Sequence, residues 1–89
     1  MPTPPESLAA RRLCDLVALV LDVEASEVPA DALFYEDLGM DSFQKTEIVA
    51  RIDQEFGAEL TAEEADEARS VTDLATVLAR RGVAEVGPA

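Results

Sequence analysis

FYEDLGMDSFQKTEIVARIDQEFG, residues 34–57, decides the fold. Asp41 stands where a helix N-cap belongs, Ser42 opens the helix, and Gln44 sits where the return bond of a capping box would originate. Ile48, Ile52 and Phe56 then recur at a four-residue spacing with Val49 beside them, an apolar stripe that must face a core. Gly57 ends the helix as a left-handed C-cap would. Phe43, Thr46, Glu47, Ala50 and Gln54 fall on the other faces and are left for solvent or a partner.

Upstream, Leu8, Leu13, Leu16, Val17, Val20 and Leu21 give a first helix with one broad apolar face, so apolar that it should be the central one. Thr3, with Pro4 and Glu6 behind it, is one candidate cap and Ser7 the other, and the helix must stop before Pro29. Between Val23 and Met40 no period holds, and Pro29, Asp31 and Gly39 punctuate the stretch. So long a connection needs pinning, for which Val28, Leu33, Phe34 and Leu38 are the candidates.

Downstream, Thr61 and Glu64 form another capping box, but the AEEADEA that follows offers only alanines to bury, so the third helix should be short and weakly held. Ser70 or Thr72 caps a last helix with Val71, Leu74, Val77 and Leu78 facing inward. Arg80 and Arg81 lie at its negative end, Gly82 follows, and the tail VAEVGPA should fray. No stretch alternates long enough to make a sheet. The expectation is an all-α four-helix bundle, three longer helices and a short third one, with a long loop between the first two. It forms a single domain over residues 1–89 with its core at about 6–82 and flexible ends.

Composition narrows the chemistry. The 89 residues contain no histidine and one cysteine, Cys14, which excludes a Ser/His/Asp triad, a Cys/His nucleophile pair and a Cys/His zinc site. Cys14 lies within an apolar helical face and reads as a small core residue. Glu63, Glu64, Asp66 and Glu67 read as a solvated helix rather than a metal patch. Asp31 to Ser42, laid on the calcium-loop template, lacks the central Gly and the closing Glu.

The net charge is −12, and residues 22–67, with fifteen acids and two bases, hold more than all of it. Such a surface repels nucleic acid and steers basic partners toward itself. No apolar run approaches a membrane span and the start does not read as a signal peptide, so a soluble, cytoplasmic monomer is expected. The Ala, Arg and Val bias points to a bacterial source.

Ser42 carries what remains. A serine in the first turn of a helix, after a capping aspartate and close behind a glycine, holds its hydroxyl out at the positive end of the helix dipole, where an attached anion is favoured. Taken alone, Asp-Ser at a helix start is ordinary capping. The string Phe34 to Phe43, followed by Glu47-Ile48-Val49 and Ile52-Asp53-Gln54-Glu55-Phe56-Gly57, closely resembles the acyl carrier protein family, and so does the order of helices over about residues 6–82.

The resemblance implies a carrier rather than a catalyst. A phosphopantetheinyl transferase would move 4′-phosphopantetheine from coenzyme A onto Ser42, beside Asp41, through a phosphodiester. The arm would then carry acyl groups as thioesters. Met40, Phe43, Thr46, Glu47 and Ala50 would meet acyltransferase, ketosynthase or adenylating partners through basic docking surfaces, and the bundle would be able to open to shelter a chain.

Three residues depart from the family pattern or refine it. Phe43 stands where leucine or isoleucine is usual. Lys45 is a base where the family is mostly neutral or acidic; it either touches the phosphodiester or repels wrong partners, or else simply pairs with Asp41 at i,i+4 as Glu47 does with Arg51. Met40 argues against a peptidyl carrier, where G-G-x-S is commoner. The leading reading is a discrete acyl carrier for a polyketide or fatty acid pathway, leaning to specialised metabolism. A free-standing peptidyl or aminoacyl carrier and an acidic helical adaptor without a prosthetic group are the alternatives.

Overall fold

A computed structural model describes residues 8–82, which form four α-helices: α1 (Leu8–Leu21), α2 (Ser42–Phe56), α3 (Ala62–Glu67) and α4 (Val71–Arg80). The candidate caps Thr3 and Ser7 and the tail from residue 83 lie outside the described residues. No strand occurs among the described residues.

Helix α1 is central, packing against both α2 and α4. Its apolar face is broader than the leucines and valines alone suggest, because Ala9, Ala10, Cys14 and Ala18 are buried beside Leu13, Leu16 and Val17. What ends it is Asp22 rather than Pro29. Asp22 takes a left-handed φ of 59°. The Val23 N–H reaches back to the Ala18 carbonyl at 3.0 Å, and the Asp22 N–H to Leu19 at 3.3 Å. This paired closure satisfies the last carbonyls of the helix, and aspartate is among the few side chains that tolerate the left-handed geometry it needs.

The long connection is anchored as well as packed. A single 3-10 turn at Ala25–Glu27 leads into buried Val28, and Phe34 and Met40 follow it into the core. Of the expected pins, Val28 and Phe34 are buried and Leu38 packs at the core's edge, whereas Leu33 stays half-exposed outside the cluster. Met40 takes the fourth place. Two backbone links stitch the loop to the start of α4: Phe34 N–H to the Arg69 carbonyl at 2.8 Å, and Thr72 N–H to the Ala30 carbonyl at 2.9 Å. The Thr72 hydroxyl adds a bond to the same Ala30 oxygen at 3.0 Å, so Thr72 fastens the loop while Ser70 caps α4.

Helix α3 is short and buries no residue of its own, as its composition required, and polar contacts tie it to its neighbours. Arg81, just past α4, donates from Nε to both carboxylate oxygens of Glu64 at 3.0 and 3.1 Å. On the opposite side, the Lys45 ammonium donates to the Ala65 and Ala68 carbonyls at 2.8 and 2.9 Å. Of these two ties the Arg81 pair is partly exposed and contributes little, and the Lys45 ammonium is the buried one.

Candidate functional site at the start of α2

The N-terminus of α2 is built as its sequence requires. Asp41 is extended at φ −104° and ψ 174°, its Oδ1 accepts the Gln44 N–H at 2.7 Å, and Gln44 Oε1 accepts the Asp41 N–H at 3.0 Å. The Lys45 N–H closes the first helical bond on the Asp41 carbonyl. That leaves the N–H groups of Ser42 and Phe43 as the orphan donors of the first turn. Gly39, at φ 67°, turns the chain from the loop toward this cap, a conformation that favours glycine.

Ser42 is exposed, and its hydroxyl makes no hydrogen bond to any described residue. Only its carbonyl is engaged, accepting the Thr46 hydroxyl at 2.9 Å. An uncommitted primary alcohol thus stands on a rigid, doubly capped helix end beside two free N–H donors and the positive end of the dipole. A phosphodiester on that oxygen would meet donors rather than interior partners, so the residues present fit a phosphate-linked arm.

Around Ser42, Phe43 is 77% exposed, Tyr35 is exposed, Thr46 and Ala50 are exposed, and Glu47 is half-exposed and paired with Arg51 at 3.3 Å. Met40 is the correction. Its side chain is 4% exposed and belongs to the core, because the chain turns at Gly39 and lays the thioether inward against the cluster. Met40 therefore supports the site from beneath and has no surface to offer a partner.

Lys45 is the second correction. No Asp41–Lys45 pair forms, and the ammonium does not lie free near the Ser42 oxygen. The residue is 7% exposed and crosses toward α3, with its nitrogen 5.5 Å from the Phe34 ring centre and 5.6 Å from that of Tyr35. Burial pushes its pKa down, and the nearby Asp66 charge works in the opposite direction. A shallow groove of about 300 Å³ lies between α2 and α3, lined by Tyr35, Ser42, Lys45, Thr46 and Val49 on one side and Ala62, Ala65 and Asp66 on the other. The signal for Lys45 is in the sequence after all: it sits three residues before Ile48, one turn back along the stripe that Ile48, Ile52 and Phe56 trace.

Comparison with known proteins agrees with this geometry. The family model described as the phosphopantetheine attachment site matches residues 11–78, which include the whole capped start of α2. The chain belongs to the acyl carrier protein family. It is 33% identical over 72 residues to an acyl carrier protein of Solidesulfovibrio magneticus, covering 81% of this chain and 92% of that one. With an acyl carrier protein of Bdellovibrio bacteriovorus it shares 36% identity over 70 residues, covering 79% and 90%. As a member of this family it is a carrier rather than a catalyst, and its prosthetic group is 4′-phosphopantetheine. No described helix is long and apolar enough to cross a membrane.

Proposed function

We propose that Ser42 is the attachment point of the arm and that the protein shuttles acyl thioesters between the enzymes of a polyketide or fatty acid pathway, with specialised metabolism favoured. The observation that carries the assignment is the free, exposed Ser42 hydroxyl in the first turn of α2. When attached, the group supplies a thiol at the end of a long flexible chain. The protein's own part is to hold the anchor still, with Asp41 and Gln44 fixing the helix start and the Ser42 and Phe43 N–H groups facing the phosphate.

Docking falls to the exposed surface of Phe43, Thr46, Glu47 and Ala50, without Met40. The net charge of −12 steers basic docking surfaces of a phosphopantetheinyl transferase, an acyltransferase or a ketosynthase toward that surface, and it favours a soluble monomer. Such contacts are brief because exposed charge pairs contribute little grip. The lean to specialised metabolism rests on Phe43 and Lys45, the departures beside the attachment point.

Incubation with a phosphopantetheinyl transferase and coenzyme A should raise the intact mass by one arm, with no gain in Ser42→Ala. Absence of modification of the wild-type protein by any competent transferase removes the assignment. Loading of the thiol with an amino acid by an adenylating enzyme, and not with an acyl unit by an acyltransferase, would move the protein to a peptidyl pathway.

A further inference from the structure

The groove between α2 and α3 has Ser42 in its lining, so it is an apolar shelter within reach of a chain whose arm folds back along the surface. Val49, Ala62 and Ala65 give it walls suited to a few carbons. Deeper passage runs into Lys45. Its ammonium spans from α2 to the Ala65 and Ala68 carbonyls at 2.8 and 2.9 Å, and its exposure is only 7%. The ring of Phe34 lies 5.5 Å from its nitrogen, and Ile48 and Ile52 of the same helix are fully buried in the core.

For a hydrocarbon to advance, the ammonium must give up both carbonyls, and a saturated chain offers no acceptor in return. The two carbonyls would lose their partner, and the ammonium would have only the Asp66 carboxylate that lines the same groove to turn to. An apolar side chain of similar length at this position would impose neither cost, and it would widen the contact available to the incoming chain.

Building on the carrier function proposed above, we infer that Lys45 is a specificity-determining residue that bars the helix bundle to saturated acyl chains, so that a hydrocarbon carried at Ser42 beds only its first carbons in the groove and otherwise stays outside. The feature is particular to this chain's own residue 45, and it makes the α2–α3 junction a closed seam toward hydrocarbon.

The test uses the whole protein, modified at Ser42 and loaded in turn with butyryl, hexanoyl, octanoyl and decanoyl groups. Intact mass is read first: failure of the arm to attach defeats the carrier assignment, and it is seen before any chain-length effect is measured. Thermal midpoints are read next, because a chain buried in the folded state alone raises the midpoint. The wild type should show no rise beyond butyryl, whereas Lys45→Met should climb with chain length by roughly 5 °C or more across the series. A climbing wild-type series overturns the inference, and so does a Lys45→Met series as flat as the wild type. Should Lys45→Met fail to fold, Lys45→Leu takes its place, and the wild-type series still decides against the inference if it climbs.

Discussion

Replacing Asp41 with alanine removes a single acceptor from the site. The Gln44 N–H then loses its 2.7 Å partner, while the Asp41 N–H keeps its 3.0 Å bond to Gln44 Oε1, since that bond uses backbone on the Asp41 side. Losing an N-cap side chain costs about 1 kcal/mol, and losing an anion at the positive end of an exposed helix adds about 0.3–0.5 kcal/mol. At about 4–8 °C per kcal/mol for a domain of this size, Asp41→Ala should melt roughly 5–12 °C below the wild type. Asp41→Asn retains an acceptor oxygen and loses only the charge, so its deficit should be about 1–4 °C. Far-UV circular dichroism melts at low and high salt separate the two parts: the asparagine deficit shrinks as salt screens the dipole, and most of the alanine deficit persists. An alanine variant that melts with the wild type refutes the capping account, and an asparagine variant as unstable as alanine shows that charge rather than the bond holds the helix start. Attachment of the arm places a second negative charge beside residue 41, so Asp41→Asn should lose less in the modified protein than in the unmodified one.

Four other outcomes follow from the packing. Phe34 is fully buried, so Phe34→Ala should lower stability by about 3–5 kcal/mol, read as a large fall in the urea midpoint; a loss under about 1 kcal/mol would contradict its place in the core. Phe43, 77% exposed, should tolerate Phe43→Ala within about 0.5 kcal/mol while its acyl-transfer partner loses about tenfold in kcat/KM; unchanged transfer rates would remove Phe43 from the docking surface. The hydrogen bonds from Arg81, followed by the Thr61 backbone bond, hold the Glu64 carboxyl at a pKa of about 2, below its unfolded value of 4.5. The pair's contribution is therefore complete above about pH 4.5 and lost as pH falls through about 2. The small melting difference between wild type and Glu64→Gln should be present at neutral pH and gone near pH 2, and a difference that grows on acidification would reverse the sign argued here. Cys14 is buried, and burial first and the Asp15 charge second raise its thiol pKa, so an aromatic disulfide reagent should label it in urea and leave the native protein largely unlabelled.

Much of this architecture was legible because the local signals agreed with one another. Asp41, Gln44 and Gly57 bracket α2, and the Ile48–Ile52 stripe points where its spacing says. The four inward residues of α4 are all buried, and the exposure of Ser42 at the helix start matches its motif. What escaped depended on contacts that no local pattern carries. Charge alone offered Lys45 the phosphodiester, a partner to repel or Asp41, yet its position on the apolar stripe outweighed all three, because a lysine stem packs like hydrocarbon and its head found two carbonyls at α3 and its C-cap. Met40 precedes the site in sequence and so invited a surface role, but the turn at Gly39 folds it under. Arg81 suggested a dipole partner for its own helix and instead reaches Glu64, seventeen residues away. Asp22 carried no obvious helix-stop signal, since aspartate reaches the left-handed region less often than glycine does.

The stitching of the long loop to α4 bears on biosynthesis. Thr72 meets Ala30 across 42 positions, and Phe34 waits for the carbonyl of Arg69. Residues 30–34 have local partners of their own, but their backbone links to α4 can form only after positions 69–72 have been made, so the loop before Ser42 is fastened late in synthesis.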